Sequence, residues 1–159
     1  MDALPLSWAQ ILLANIAIAA GALLQGVAGY GIGTLSAPLL FLISPLLLPA
    51  PLTMNAMVLT VLMLLRSRTS LAFAPVRHAM MGAALGTLLA VVAMKLLSSA
   101  GFGLVFGVLI LFAVVLSVSG LQPVLNRRNS LCAGGLSGFM GTITAVGGPP
   151  IALLYQRQP

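Results

Sequence analysis

The chain has 159 residues, of which 60% are hydrophobic and 5% charged, against roughly a quarter charged in an ordinary soluble domain. A water-facing surface cannot be built from that composition, which excludes a soluble globular domain and makes the lipid bilayer the chain's surroundings. The formal net charge of +6 comes from seven basic residues and one acid; with no basic surface and interleaved aromatics to accompany it, the excess reads as membrane topology, not as nucleic-acid binding.

In chain order, residues 1–10 carry Asp2 and no Lys or Arg, so they lack the basic region of a secretory signal peptide, and Trp8 onward reads as a retained helix. That helix is expected from Trp8, an interfacial aromatic anchor, to Ala28. Gly29-Tyr30-Gly31-Ile32-Gly33 then places three glycines in five residues and predicts a break. Thr34 is the expected cap of a new segment over Leu35–Ile43. Pro45, Pro49 and Pro51 predict a turn or kink before a helix over Leu52–Leu65.

Arg66, Arg68 and Arg77 mark the next connection and Arg127 and Arg128 a later one, the signature of cytoplasmic loops. Between them, His78–Leu97 and Gly101–Val118 predict two helices, joined so tightly that they should be antiparallel neighbours. Gly82 with Gly86, and Gly103 with Gly107, have the spacing that lets helix backbones approach closely in lipid. The polar loop Gly120–Ser130 is the candidate boundary between two units. Beyond it, Leu131–Tyr155 predicts a helix interrupted at Gly147-Gly148-Pro149-Pro150.

The runs are apolar on every face and reach about the length that crosses ~30 Å of hydrocarbon as a helix, so a β-barrel is set aside. The fold class is all-α: a polytopic transmembrane helical bundle with discontinuous helices. Superposing Gly31 on Gly147 puts two broken segments in register. A two-repeat architecture follows, with a first repeat over residues 1–125 and the start of a second, incomplete one over 126–159.

An unwound segment in hydrocarbon is tolerated only where protein buries it or a wet cavity adjoins it. Two such breaks point to a secondary transporter, whose discontinuous helices meet near the midplane and aim their N-termini at the solute. Those N-termini suit an anion without a buried cation. The candidate solute-binding residues are Gln25, Gly29, Gly31, Gly33 and Thr34 at the first break, and Thr144, Gly147, Gly148, Pro149 and Pro150 at the second. The two prolines fit the opening of a helix, where a missing N–H costs little.

The stretch Gln25-Gly26-Val27-Ala28-Gly29-Tyr30-Gly31-Ile32-Gly33, with Pro38-Leu39-Leu40 after it, resembles the first signature of the sulfite exporter TauE/SafE family of membrane transporters. Gly135-Leu136-Ser137-Gly138-Phe139-Met140-Gly141, ending in Gly147-Gly148-Pro149-Pro150 and Tyr155, resembles the second. The resemblance implies a multi-pass protein of the cell inner membrane that exports small oxyanions such as sulfite or organosulfonates, with a small anionic solute and the lipid bilayer as partners. Two departures stand out. Ala145 occupies a position where the second signature commonly has glycine. Family members also continue through the rest of a second half, so a fragment is expected here, with the missing C-terminal half or a second copy completing the path.

No nucleophile–base pair, carboxylate dyad or metal cluster is visible, so neither an enzyme, a metal nor a cofactor is expected. Cys132, the only cysteine, is assigned to packing, Lys95 to snorkelling at a helix end and His78 to the interface. The rival reading is a non-transporting membrane subunit whose glycines serve helix packing. The basic clusters should share one side, two crossings apart, and inverted repeats would put the N-terminus on the other.

Overall fold

The structure is a computed structural model that describes residues 6–28, 31–66, 73–121 and 123–155. It is a bundle of seven α-helices with no strand among the described residues: α1 (Trp8–Ala28), α2 (Ile32–Ile43), α3 (Ala50–Arg66), α4 (Phe73–Leu96), α5 (Ser99–Val118), α6 (Arg127–Thr144) and α7 (Gly148–Tyr155). Among the described residues, four stretches are long and apolar enough to cross a membrane: Trp8–Val27, Pro45–Arg66, Val76–Leu96 and Ala100–Val118. Their outer faces leave residues such as Leu23, Leu62, Leu88 and Leu111 exposed, which is the surface hydrocarbon requires.

The first helix has the predicted bounds, and the later ones start earlier than the apolar pattern suggests, at α5 and α6 behind the side-chain caps Ser98 and Asn126. Asn126 caps α6, its Oδ1 accepting from the Asn129 amide at 2.8 Å, so the basic pair Arg127–Arg128 forms the first turn of the helix instead of belonging to a loop. At the proline cluster a 3-10 turn (Pro45–Leu47) is capped by Ser44, and Pro51 falls in the first turn of α3. Thr34 is not the cap of α2: that helix starts at Ile32, and Gly31 holds the cap position at φ 156°, a backbone region that glycine alone enters readily.

α2 runs back along α1. Ser36 Oγ donates to the Ala17 carbonyl at 2.8 Å, and Gln10 Nε2 donates to the Ile43 carbonyl at 3.2 Å, so the end of α2 lies beside the start of α1. Gly21 lets the two backbones close, since a Cβ there would strike Ser36 Oγ. The second break builds a similar hairpin. α7 folds back against α6, and Ser137 Oγ donates to the Gly147 carbonyl at 2.6 Å across the turn.

The expected α4–α5 pairing does not form: among the described residues α4 packs chiefly on α6, and α5 packs on α7, α6 and α2. The reason is shape. Gly82 and Gly86 of α4 admit the backbone of Leu131, Gly135 and Phe139, while Gly134 and Gly138 of α6 admit that of Ala79 and Ala83. Residue numbers rise together along this seam, so α4 and α6 are parallel, and their starting ends carry Arg77 and Arg127–Arg128 on the same side, as the basic clusters predict. The seam holds only half of the expected glycine contacts. A Cβ on Gly107 would meet nothing within 4 Å among the described residues and one on Gly103 only the Phe41 ring edge at 3.7 Å, so that pair does not bring two helices together. α5 is anchored instead by aromatic packing, with the rings of Phe106 and Phe41 stacked at 4.6 Å.

Candidate solute-binding site

The two hairpins meet at their tips. A Cβ on Gly33 would overlap the Ala145 carbonyl oxygen and crowd the Val146 Cα, so only glycine lets the start of α2 touch the turn between α6 and α7. The hairpins approach from opposite ends of the bundle. The open end of α1–α2 leads through Pro49 to Ala50, which shares a cavity with Met94 near the end of α4, whereas the open end of α6–α7 lies at the basic end, where α4 begins.

A cavity of about 220 Å³ lies where the tips touch. The first hairpin contributes Gln25, Gly31, Gly33 and Thr34, the second Ala145, Val146 and Gly148, and α3 closes the side with Ala56 and Thr60. Those two are the seventh and eleventh of the 17 residues of α3, so the cavity faces the middle of α3, which lies within the candidate span Pro45–Arg66. None of its described lining residues is charged.

Gln25 and the start of α2 bring N–H donors to it. Gln25, 9% exposed, turns its Oε1 to the Ile32 amide at 3.2 Å and so caps α2 from the neighbouring helix. The Gln25 Nε2 group has a weak acceptor, Met63 Sδ at 3.9 Å. The amides of Gly33 and Thr34 belong to the first turn of α2 and have no carbonyl partner among the described residues, where the first bond of that helix runs from the Leu35 amide to the Gly31 carbonyl at 3.0 Å. α7 is poorer in donors: Pro149 and Pro150 fill its first turn and bring no N–H.

The remaining candidates sit elsewhere. Thr144 is fully buried, with its hydroxyl donating to the Met140 carbonyl at 2.8 Å and accepting from the Val146 amide at 3.1 Å, so it builds the turn. Gly147 lines a second cavity on the other side of the tip, Pro150 an apolar one between α5, α6 and α7, and Pro149 is buried. Gly29, with Tyr30, Asp2 and Arg68, lies outside the described residues. Ala56 and Thr60 were missed from sequence; their three-and-four spacing with Thr53 along one face of α3 was the available signal.

Ala145, the departure from glycine, ends α6 in the left-handed conformation at φ 60°, with its amide bonded to the Gly141 carbonyl at 2.9 Å. Glycine is the usual residue at such a cap. The break therefore keeps a glycine-type shape without glycine.

Compared with known proteins, the chain matches the family model described as Sulfite exporter TauE/SafE over residues 13–159. No curated protein and no solved structure matches it.

Proposed function

The chain belongs to the sulfite exporter TauE/SafE family, a family of membrane transporters, and from that membership we propose that it carries small oxyanions such as sulfite or organosulfonates past the meeting point of its two hairpin tips. The observation that carries this reading is the cavity itself: two broken helices converge on a space at the middle of α3, whose described lining residues include Gln25, Gly33 and Thr34 and no charged side chain. Positive helix ends and N–H groups favour an anion there, and with no fixed cation among the described lining residues it is held weakly enough to depart. The volume is below the roughly 300–1,000 Å³ of sites for drug-sized ligands, so it suits a solute of few heavy atoms.

The opposed hairpins also support reading residues 1–125 and 126–159 as inverted repeats, with alternating access as the mechanism, and family membership supports the cell inner membrane as the location. The rival, that the glycines serve packing alone, accounts well for the α4–α6 seam. It gives no reason for a donor-lined cavity at the tips. Proteoliposomes loaded with sulfite test the proposal: wild-type protein should release sulfite faster than protein-free vesicles, and Gly31→Leu should remove the difference while circular dichroism still reports a helical protein. Equal release from both vesicle types would refute it.

A further inference from the structure

The second cavity, of about 550 Å³, abuts the first across the tip of the α6–α7 hairpin. Gly148 lines one and its chain neighbour Gly147 lines the other, so a single turn of backbone divides them. α3 is a wall of both. Ala56 and Thr60 face the first cavity and Thr53 the second, and residues three and four apart share a helix face.

We propose that the transported oxyanion has a second position in this cavity and reaches it by moving along the Thr60–Ala56–Thr53 face of α3. The inference rests on the anion-site reading above and adds to it a route and a direction. The two positions differ in chemistry. The first offers helix-end amides, whereas the second is lined by the hydroxyls of Thr53, Thr87, Ser137 and Thr142, and none of its described lining residues is charged.

These hydroxyls now donate within the protein: Thr142 to the Gly138 carbonyl at 2.7 Å, Thr53 to the Ala50 carbonyl at 2.8 Å, and Ser137 to the Gly147 carbonyl at 2.6 Å. A hydroxyl can turn its proton to a passing anion, but it must first give up such a bond. Holding is therefore weaker here than at the first position, which suits release. The cavity also adjoins Met94, toward the end of α4 away from Arg77, Arg127 and Arg128. By the positive-inside bias that end faces away from the cytoplasm, the direction of export.

The partition is held by the Ser137–Gly147 bond and by the contact of Gly33 with Ala145, both of which lie on the tip. Displacing the tip joins the two cavities without moving α3. α3 is then a fixed track beside a moving gate.

The test uses single cysteines in a Cys132→Ser background, because Cys132 is the only native thiol. Thr60→Cys, Thr53→Cys and Thr142→Cys are alkylated with a maleimide, whose thioether sulfite does not cleave, then washed and assayed for sulfite flux in proteoliposomes. Val58→Cys, on the opposite face of α3 and exposed, is the control. Alkylation is expected to stop flux at positions 60, 53 and 142 and leave it unchanged at 58. Thr142 reads the same cavity from α6, so the conclusion survives loss of the Thr53 variant to misfolding. Loss at 60 with full flux after modification at both 53 and 142 would overturn the second position and leave the first standing. Absence of sulfite flux in the unmodified wild type would overturn both readings.

Discussion

Gly33 and Ala145 touch main chain to main chain, and this contact joins the two hairpins at the cavity. Its tightness follows from a missing side chain, so the smallest addition should be the most informative. Gly33→Ala forces the tips apart by displacing backbone, which cannot yield as a flexible side chain would. Gly26, seven positions earlier and with nothing within 4 Å of a built Cβ, provides the matched control. Sulfite flux in proteoliposomes should fall about tenfold or more for Gly33→Ala, since small displacements of a binding geometry carry penalties of that order or larger. Gly26→Ala should remain close to wild type. Equal flux in the two variants would mean that the tip contact does not matter to transport.

Gln25 does two jobs with two atoms, and substitutions can separate them. Oε1 caps α2 at the Ile32 amide, while Nε2, on a residue that lines the cavity, has a thioether as its one partner among the described residues. Gln25→Leu removes both and should cost about 1 kcal/mol, the usual penalty for losing a cap. Gln25→Glu keeps an acceptor, and its negative charge suits the start of α2. The same charge repels an oxyanion. The expected result is a lowered melting temperature for the leucine variant, a near-normal one for the glutamate variant, and lost flux in both. Full flux in the glutamate variant would remove Gln25 from the solute's surroundings.

Much of this arrangement could be read before any coordinates, because glycine and proline clusters act locally. The first helix ends at Ala28 as its glycine run predicts, and the second break falls at residues 145–147, just ahead of the expected 147–150, because Gly148, Pro149 and Pro150 open α7 instead of interrupting a helix. What could not be read is which helix meets which. A short link between α4 and α5 implied an antiparallel pair, but contact in lipid depends on matching surfaces, and the surface matching Gly82 and Gly86 is that of Gly134 and Gly138. The cap of α2 was misplaced for a related reason. The group that caps it is the Gln25 side chain on another helix, which a search for local capping residues does not see.

Ala145 holds a left-handed conformation at φ 60° without glycine's freedom. That conformation costs an L-residue with a Cβ roughly 1–2 kcal/mol. Part of the gain from glycine is lost again, because glycine makes the unfolded chain more flexible. Ala145→Gly should therefore stabilise the protein by about 1 kcal/mol and raise its melting temperature by about 2–4 °C, as for a chain of this size. Thermal unfolding in detergent, followed by circular dichroism, measures this. A lower melting temperature would show that the alanine methyl contributes more in packing than its backbone costs.

Two glycine pairs of identical spacing make opposite predictions, which separates the seam from the sequence pattern. On α6, Gly134 and Gly138 lie where any Cβ would strike the carbonyls of Ala79 and Ala83, and the obstructing atoms are backbone on a helix that is itself held. On α5, Gly107 has open space around it. Gly138→Leu must separate two parallel helices along their length, at a cost above the roughly 1–3 kcal/mol typical of overpacking a core. Gly107→Leu adds one more apolar side chain beside open space and should be tolerated. The expected outcome is loss of the monodisperse detergent-solubilised peak for Gly138→Leu and a normal elution profile with near-normal melting for Gly107→Leu. If the two variants behaved alike, glycine spacing alone would account for the packing and the pairing of α4 with α6 would have to be abandoned.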